Sequence, residues 1–352
     1  MTRATTYRQP WLHSAIFDMV FIVLPGFMAL AVTFLLPDVY KTTDTTSLAG
    51  WVVLILLIDV AHVYSTLFRT YMDRERLAKN RVLYTIVPVA CYATSVLLYA
   101  LGPLVFWRVL AYLAVYHFVR QQYGFMRLYA RQDSRPDAYM RIDSVAIYAA
   151  TLYPLVYWHC TPGRNFNWFV AGDFIIQDLA LVRQLAGYGY IGIIGTYLLK
   201  ELVSYRQFRT FNLPKNLIIA GTCMSWYFGI VYFNGDMVFT LLNVVAHGVP
   251  YMALIWMYRQ KEAGYPVTSI VSRRLPQFTL LFFLLTIVAF AYLEEGLWDG
   301  LVWKEHSQIF GIFQALPMVH SKELLALLVP LLSLPQTTHY VLDGYIWKKP
   351  RK

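Results

Sequence analysis

Charged residues are scarce in this chain. Asp, Glu, Lys and Arg make up 14% of its 352 residues, against about 25% in an ordinary soluble domain. That shortage excludes a surface designed for water on all sides. Cysteine is scarcer still: Cys91, Cys160 and Cys223 are isolated, with no CxxC pair, so neither a zinc ribbon nor a disulfide framework is expected. No linker, low-complexity tract or polar block long enough for a soluble domain interrupts the sequence. The first apolar block, Ile16 to Leu36, lacks a small-residue cleavage pattern and is expected to stay as a helix.

What is present is apolar. Hydrophobic residues make up 58% of the chain and the mean hydropathy is +0.47. They come in blocks long enough to cross ~30 Å of hydrocarbon as helices. The sequence therefore predicts an all-α polytopic membrane protein, a single integral membrane domain over residues 1–352. About ten spans are expected, near 16–36, 47–68, 82–102, 103–126, 144–160, 187–205, 216–233, 237–258, 277–293 and 323–346. Lys and Arg collect in every second segment between them, which places both termini in the cytoplasm and makes the even-numbered spans parallel. The net charge of +10 belongs to these short loops, where it meets lipid headgroups. No basic amphipathic face is left for a nucleic acid. A compact chain without a targeting extension is expected in a bacterial inner (plasma) membrane.

Four histidines stand inside the apolar segments, one each: His62, His117, His247 and His339. They fall on the second, fourth, eighth and tenth expected spans. The first cytoplasmic basic residue follows them by 7, 10, 12 and 9 positions (Arg69, Arg127, Arg259 and Lys348). At about 1.5 Å rise per residue that is one slab, roughly 10–18 Å below the basic boundary. Each also has polar company one helical turn away. Asp59 and Thr66 flank His62, Arg120 and Gln121 follow His117, Asn243 and Tyr251 bracket His247, and Gln336 and Asp343 bracket His339. A histidine in lipid is costly, and a metal-bound one needs its second ring nitrogen held. The four histidines are therefore candidate metal ligands, with Asp59, Asn243 and Asp343 behind them. Arg120, Gln121 and Tyr340 are candidate catalytic residues that would meet substrate or oxygen. Pro250 and Pro335 are expected to free backbone carbonyls beside the site. A structural alternative pairs Asp59 and Asp343 with Arg120.

No two histidines lie within five residues of one another, which argues against the histidine-box desaturases. One histidine per helix at one depth also fails to stack two b-type haems. A mononuclear iron site fits best, with copper or zinc as alternatives. Single histidines dispersed over several membrane helices, here His62, His117, His247 and His339, resemble the Brp/Blh family of membrane carotenoid-cleaving dioxygenases. That resemblance implies a histidine-ligated non-haem iron facing a lipid-accessible pocket and a lipophilic small-molecule substrate, hence an oxygenase or other oxidoreductase. Two alternatives remain from the residues themselves. One is a membrane acyltransferase with His247 as general base; the other is a proton-coupled transporter using an Asp/His/Arg relay.

Overall fold

The computed structural model describes residues 7–264 and 279–347. Regular structure among the described residues is entirely helical. The principal helices are α1 (Ala15–Leu35), α2 (Leu48–Arg69), α3 (Arg81–Leu101), α4 (Pro103–Tyr129), α5 (Asp137–His159) and α6 (Ala180–Phe208). They continue as α7 (Leu213–Trp226), α8 (Asp236–Ala263), α9 (Leu280–Trp303), α10 (Lys322–Leu332) and α11 (Leu334–Ile346). Every apolar segment read from the sequence is thus helical over most of its described residues; 277 and 278, at the start of the ninth expected span, and Lys348 lie outside them. Five of these helices, α1, α2, α3, α8 and α9, are long and apolar enough to cross a membrane, and the pair α10–α11, bent by 41°, makes up to six. Helices α4 to α7 occupy the other expected spans but carry more polar residues, among them Arg108, Arg120, Asp143, Lys200 and Glu201.

Local chemistry sets several boundaries. The side chains of Ser14, Asn212, Thr279 and Ser321 accept from backbone N–H groups at the starts of α1, α7, α9 and α10, satisfying donors a helix leaves unpaired. Pro335 occupies the first turn of α11, where its missing N–H costs nothing, so it marks the α10–α11 bend. Pro250 instead lies inside the unbroken α8. Its ring removes the donor for the carbonyl of Ala246, and there the side chain of Gln122 donates at 3.5 Å. Helix α9 runs on to Trp303, past the expected end at 293. Glu294 and Glu295 read as the start of a loop, yet Glu294 is buried and accepts from the Tyr64 hydroxyl at 2.6 Å. Where the chain folds back, the Phe313 ring lies against Gly296, and a Cβ there would collide with it.

The described residues form two compact units, one of residues 7–47, 118–167 and 174–250, the other of residues 48–117, 168–173, 251–264 and 279–347. Helices α4 and α8 contribute to both. The first unit packs α5 against α6 and α7, and α7 against α1. At its centre lies a closed ionic network. Lys215 Nζ reaches Asp143 Oδ2 and Glu201 Oε1, each at 2.8 Å. Lys200 pairs with the same two acids, and Asn216 donates to Glu201 at 3.3 Å. The second unit is built on an apolar cluster that includes Leu56, Val60, Phe68, Ile255, Phe283 and Ile287. A second cluster there joins Phe106, Leu110, Trp298, Val329 and Tyr340.

Removing one member of the first unit's network strands the others in a medium that cannot solvate them. Lys215→Met is expected to destabilise the detergent-solubilised protein by about 3–5 kcal/mol. Asp38→Asn, at the exposed pair with Lys41, should leave the unfolding curve unchanged. Comparison of the two unfolding midpoints checks this.

Candidate metal centre

Three of the four histidines predicted from the sequence, His62, His117 and His339, come together in the second unit. All four are buried, none more than 2% exposed, and one ring nitrogen from each of these three lies within 4.8 Å of the others. Within the second unit His117 Nε2 and His339 Nε2 stand 3.2 Å apart. Two nitrogens bound at about 2.0–2.1 Å to one tetrahedral ion stand roughly 3.3–3.4 Å apart, so this pair already has the spacing of shared ligation.

The opposite ring edges are held. His339 Nδ1 is 2.6 Å from Thr66 Oγ1. His117 Nδ1 is 3.4 Å from Asp343 Oδ2, and His62 Nδ1 is 3.7 Å from Asp59 Oδ1. The last distance is an electrostatic contact rather than a hydrogen bond. Asp343 is itself fixed, because Oδ1 accepts the Tyr251 hydroxyl at 2.9 Å and the Trp347 indole N–H at 2.6 Å. Tyr251 also meets Thr66 at 3.2 Å, so the supports of His117 and His339 form one connected network. This is the arrangement that fixes imidazole orientation and raises its basicity toward a metal.

Helix geometry explains why these side chains meet. Asp59 precedes His62 by three residues, Thr66 follows it by four, and Asp343 follows His339 by four, spacings that share a helix face. Residues Val52–Val60 of α2 wind as a π-helix immediately before Ala61. Such wide turns are rare and concentrate at functional positions. On α8, His247 lies one turn before Tyr251, and its ring is stacked on Phe118 with centroids 3.5 Å apart and planes 5° from parallel. Gln121 donates to the His247 carbonyl at 2.9 Å.

The other expected residues are placed as follows. Tyr340 packs its ring on His117 and His339, with centroids 5.1 and 5.5 Å away. Arg120 is exposed; it donates to the Tyr148 hydroxyl at 2.5 Å and lies over the Tyr123 ring. The ion pair of Arg120 with Asp59 or Asp343 does not form, since those acids turn to histidines instead. Asn243 spends its amide N–H on the Phe239 carbonyl at 2.8 Å, within its own helix. His13, His159, His306 and His320 are exposed or half-buried and stand outside the cluster. Sequence reasoning missed Phe118, Trp347, Tyr64 and Glu294. Phe118 and Trp347 were concealed among many aromatics, and Glu294 by its position at an apparent span end.

Electrostatics agree with the geometry. Neutral imidazoles leave a divalent ion its full charge, which a buried site can hold only with compensation nearby. Asp59 and Asp343 stand behind two of the rings, where a bound cation would favour their ionised forms. A buried histidine cluster of this composition could bind a metal ion. No family model, curated protein or solved structure matches the chain, so the chemistry must be argued from these residues alone.

Asp343→Asn and Thr66→Ala each keep the ligands and remove a support. Each is expected to weaken metal binding by about 10–100-fold. Competition titration against a chelator of known affinity measures the change.

Proposed function

We propose that this protein is a membrane-embedded metalloenzyme, a non-haem iron oxygenase or related oxidoreductase acting on a lipophilic substrate. The observation that carries the reading is the orientation of the rings. His117 and His339 point their Nε2 atoms at each other while Asp343 and Thr66 stand at their Nδ1 atoms. Two Nε2 atoms set face to face can share only one proton between them, whereas a metal ion would satisfy both. His62 adds a third donor in the second unit, and His247 is proposed as the fourth. The absence of thiolate ligands favours iron or copper with imidazole over the sulfur-rich sites.

A bound ion of this kind would supply Lewis acidity and one-electron chemistry. The chain itself does the rest. Asp59, Asp343 and Thr66 orient imidazoles, Phe118 and Gln121 hold His247, and Tyr340 presents a phenol ring beside two ligands. Burial in apolar helices suits a substrate that partitions into the bilayer, and the resemblance to the Brp/Blh dioxygenases points to a polyene. Ten spans with cytoplasmic termini in a bacterial inner membrane belong to this proposal, argued from the alternation of Lys and Arg along the sequence. A single general base, as an acyltransferase would use, gives no reason for the other three buried imidazoles.

Protein purified without chelators should contain about one iron per chain by elemental analysis, and His62→Ala, His117→Ala, His247→Ala and His339→Ala should each lose it. The iron-loaded protein should consume dioxygen when a lipophilic polyene is supplied in detergent micelles. Metal-free wild type that cannot be loaded, or four alanine variants that retain the ion, would overturn the reading.

A further inference from the structure

Arg69 closes the apolar run of α2, and Arg259 and Glu262 stand at the end of α8. All three belong to the second unit. Their position is where a spanning helix leaves hydrocarbon for the headgroup layer. Arg69 is only 5% exposed. Its guanidinium lies between two rings, 4.9 Å from the centroid of Tyr258 and 4.6 Å from that of Trp347. Arg76, from the segment that follows α2, comes to the same place. The Nη2 atoms of Arg69 and Arg76 both reach Glu262 Oε1, at 3.2 and 2.8 Å. Arg76 Nε also meets Asp73 Oδ2 at 3.2 Å. Arg259 lies over the Phe68 ring and donates to the Phe68 carbonyl at 3.3 Å. Among the described residues of this cluster, three guanidiniums are set against two carboxylates.

The Arg69 fork is only partly used. Its Nε and Nη1 are buried without a hydrogen-bond partner. Nη2 shares one edge of the planar guanidinium with Nε and the other with Nη1, and the single Glu262 oxygen on Nη2 engages neither edge. Packing between Tyr258 and Trp347 accounts for where the charge sits. It does not account for two dry donors on a cation, which are costlier than neutral orphans. Glu262 itself is 42% exposed, so water can take its carboxylate. A tetrahedral group with several oxygens in its place would engage an edge of Arg69 and keep an oxygen for Arg76. Phosphate has that shape, and its match to arginine is bidentate.

We propose that Arg69 and Arg76 form a binding site for an anionic phosphate group, with the Glu262 carboxylate as its internal competitor. A lipid headgroup and a soluble phosphate share that chemistry. The depth of Arg69 at the end of α2 favours the headgroup of an acidic phospholipid, since basic pockets between membrane helices at this level hold such lipids. On binding, Glu262 turns to water and phosphate oxygens take over the two guanidiniums. No metal at the histidines is required for this.

The test uses the full chain in a non-ionic detergent. Native mass spectrometry follows titration with phosphatidylglycerol and, separately, with phosphatidylcholine of the same chain length. Equilibrium dialysis with labelled inorganic phosphate runs alongside. Wild type should retain one phosphatidylglycerol in preference to phosphatidylcholine. Arg76→Gln should weaken that binding by roughly tenfold or more, as the loss of a charge-assisted hydrogen bond does. Arg69→Lys, which keeps the charge and loses the fork, should do the same. Glu262→Gln removes the competitor and should tighten binding, a gain that a merely structural ion pair would not give. Lys79→Gln, at an exposed cation of the same segment, should leave binding unchanged. Inorganic phosphate that binds with the same variant pattern supports the site and assigns it to a soluble ion; phosphate that does not bind assigns it to the lipid. Equal retention of the two lipids overturns the proposal when phosphate also fails to bind. Binding that Arg76→Gln and Glu262→Gln both leave unchanged overturns it as well.

Discussion

A polar group in the apolar interior of a helical membrane protein must find a partner there, because water is not available to supply one. That constraint organises both units. In the first it draws Asp143, Lys200, Glu201 and Lys215 into a closed ionic network. In the second it binds Asp343 to Tyr251, Trp347 and His117, and Thr66 to His339. The two arrangements end differently. The ionic network balances acids against bases and is complete in itself. The histidine cluster gathers several acceptor nitrogens and places carboxyl groups behind them, so it could hold a cation.

The supports matter as much as the ligands. An imidazole can rotate about two bonds, and in an unstructured cavity a set of four would rarely aim at one point. Here each support comes from a helix whose position is already set by apolar packing. Thr66 is anchored by α2, and Asp343 by α11. Tyr251 joins the two supports through its hydroxyl while lying on α8 one turn from His247. Preorganisation of this kind lowers the entropic cost of binding an ion, since the rings lose little freedom when it arrives.

Much of this was legible from residue spacing. The apolar blocks marked the helices, and the positions of His62, His117, His247 and His339 along parallel spans placed them at one depth. Asp59 and Asp343 were recognisable as supports because i+3 and i+4 neighbours share a helix face. Arg120 was a weaker inference from the same rule. It lies three residues after His117 and obeys the same spacing, yet its long side chain is exposed and reaches the Tyr148 hydroxyl instead. Asn243 was likewise near His247 in sequence and turned to its own helix instead.

Sequence by itself determined the helical class, the apolar segments and the identity of the four histidines, because periodicity and hydropathy are local properties of the chain. Tertiary structure decided what no local pattern encodes. The Nε2 atoms of His117 and His339, 222 residues apart, meet only through long-range packing. The same packing buries Glu294 beside Trp298 and continues α9 beyond its apolar run. A carboxylate inside a helix is tolerated where another helix brings it a donor, and which helix does so is a property of the folded chain.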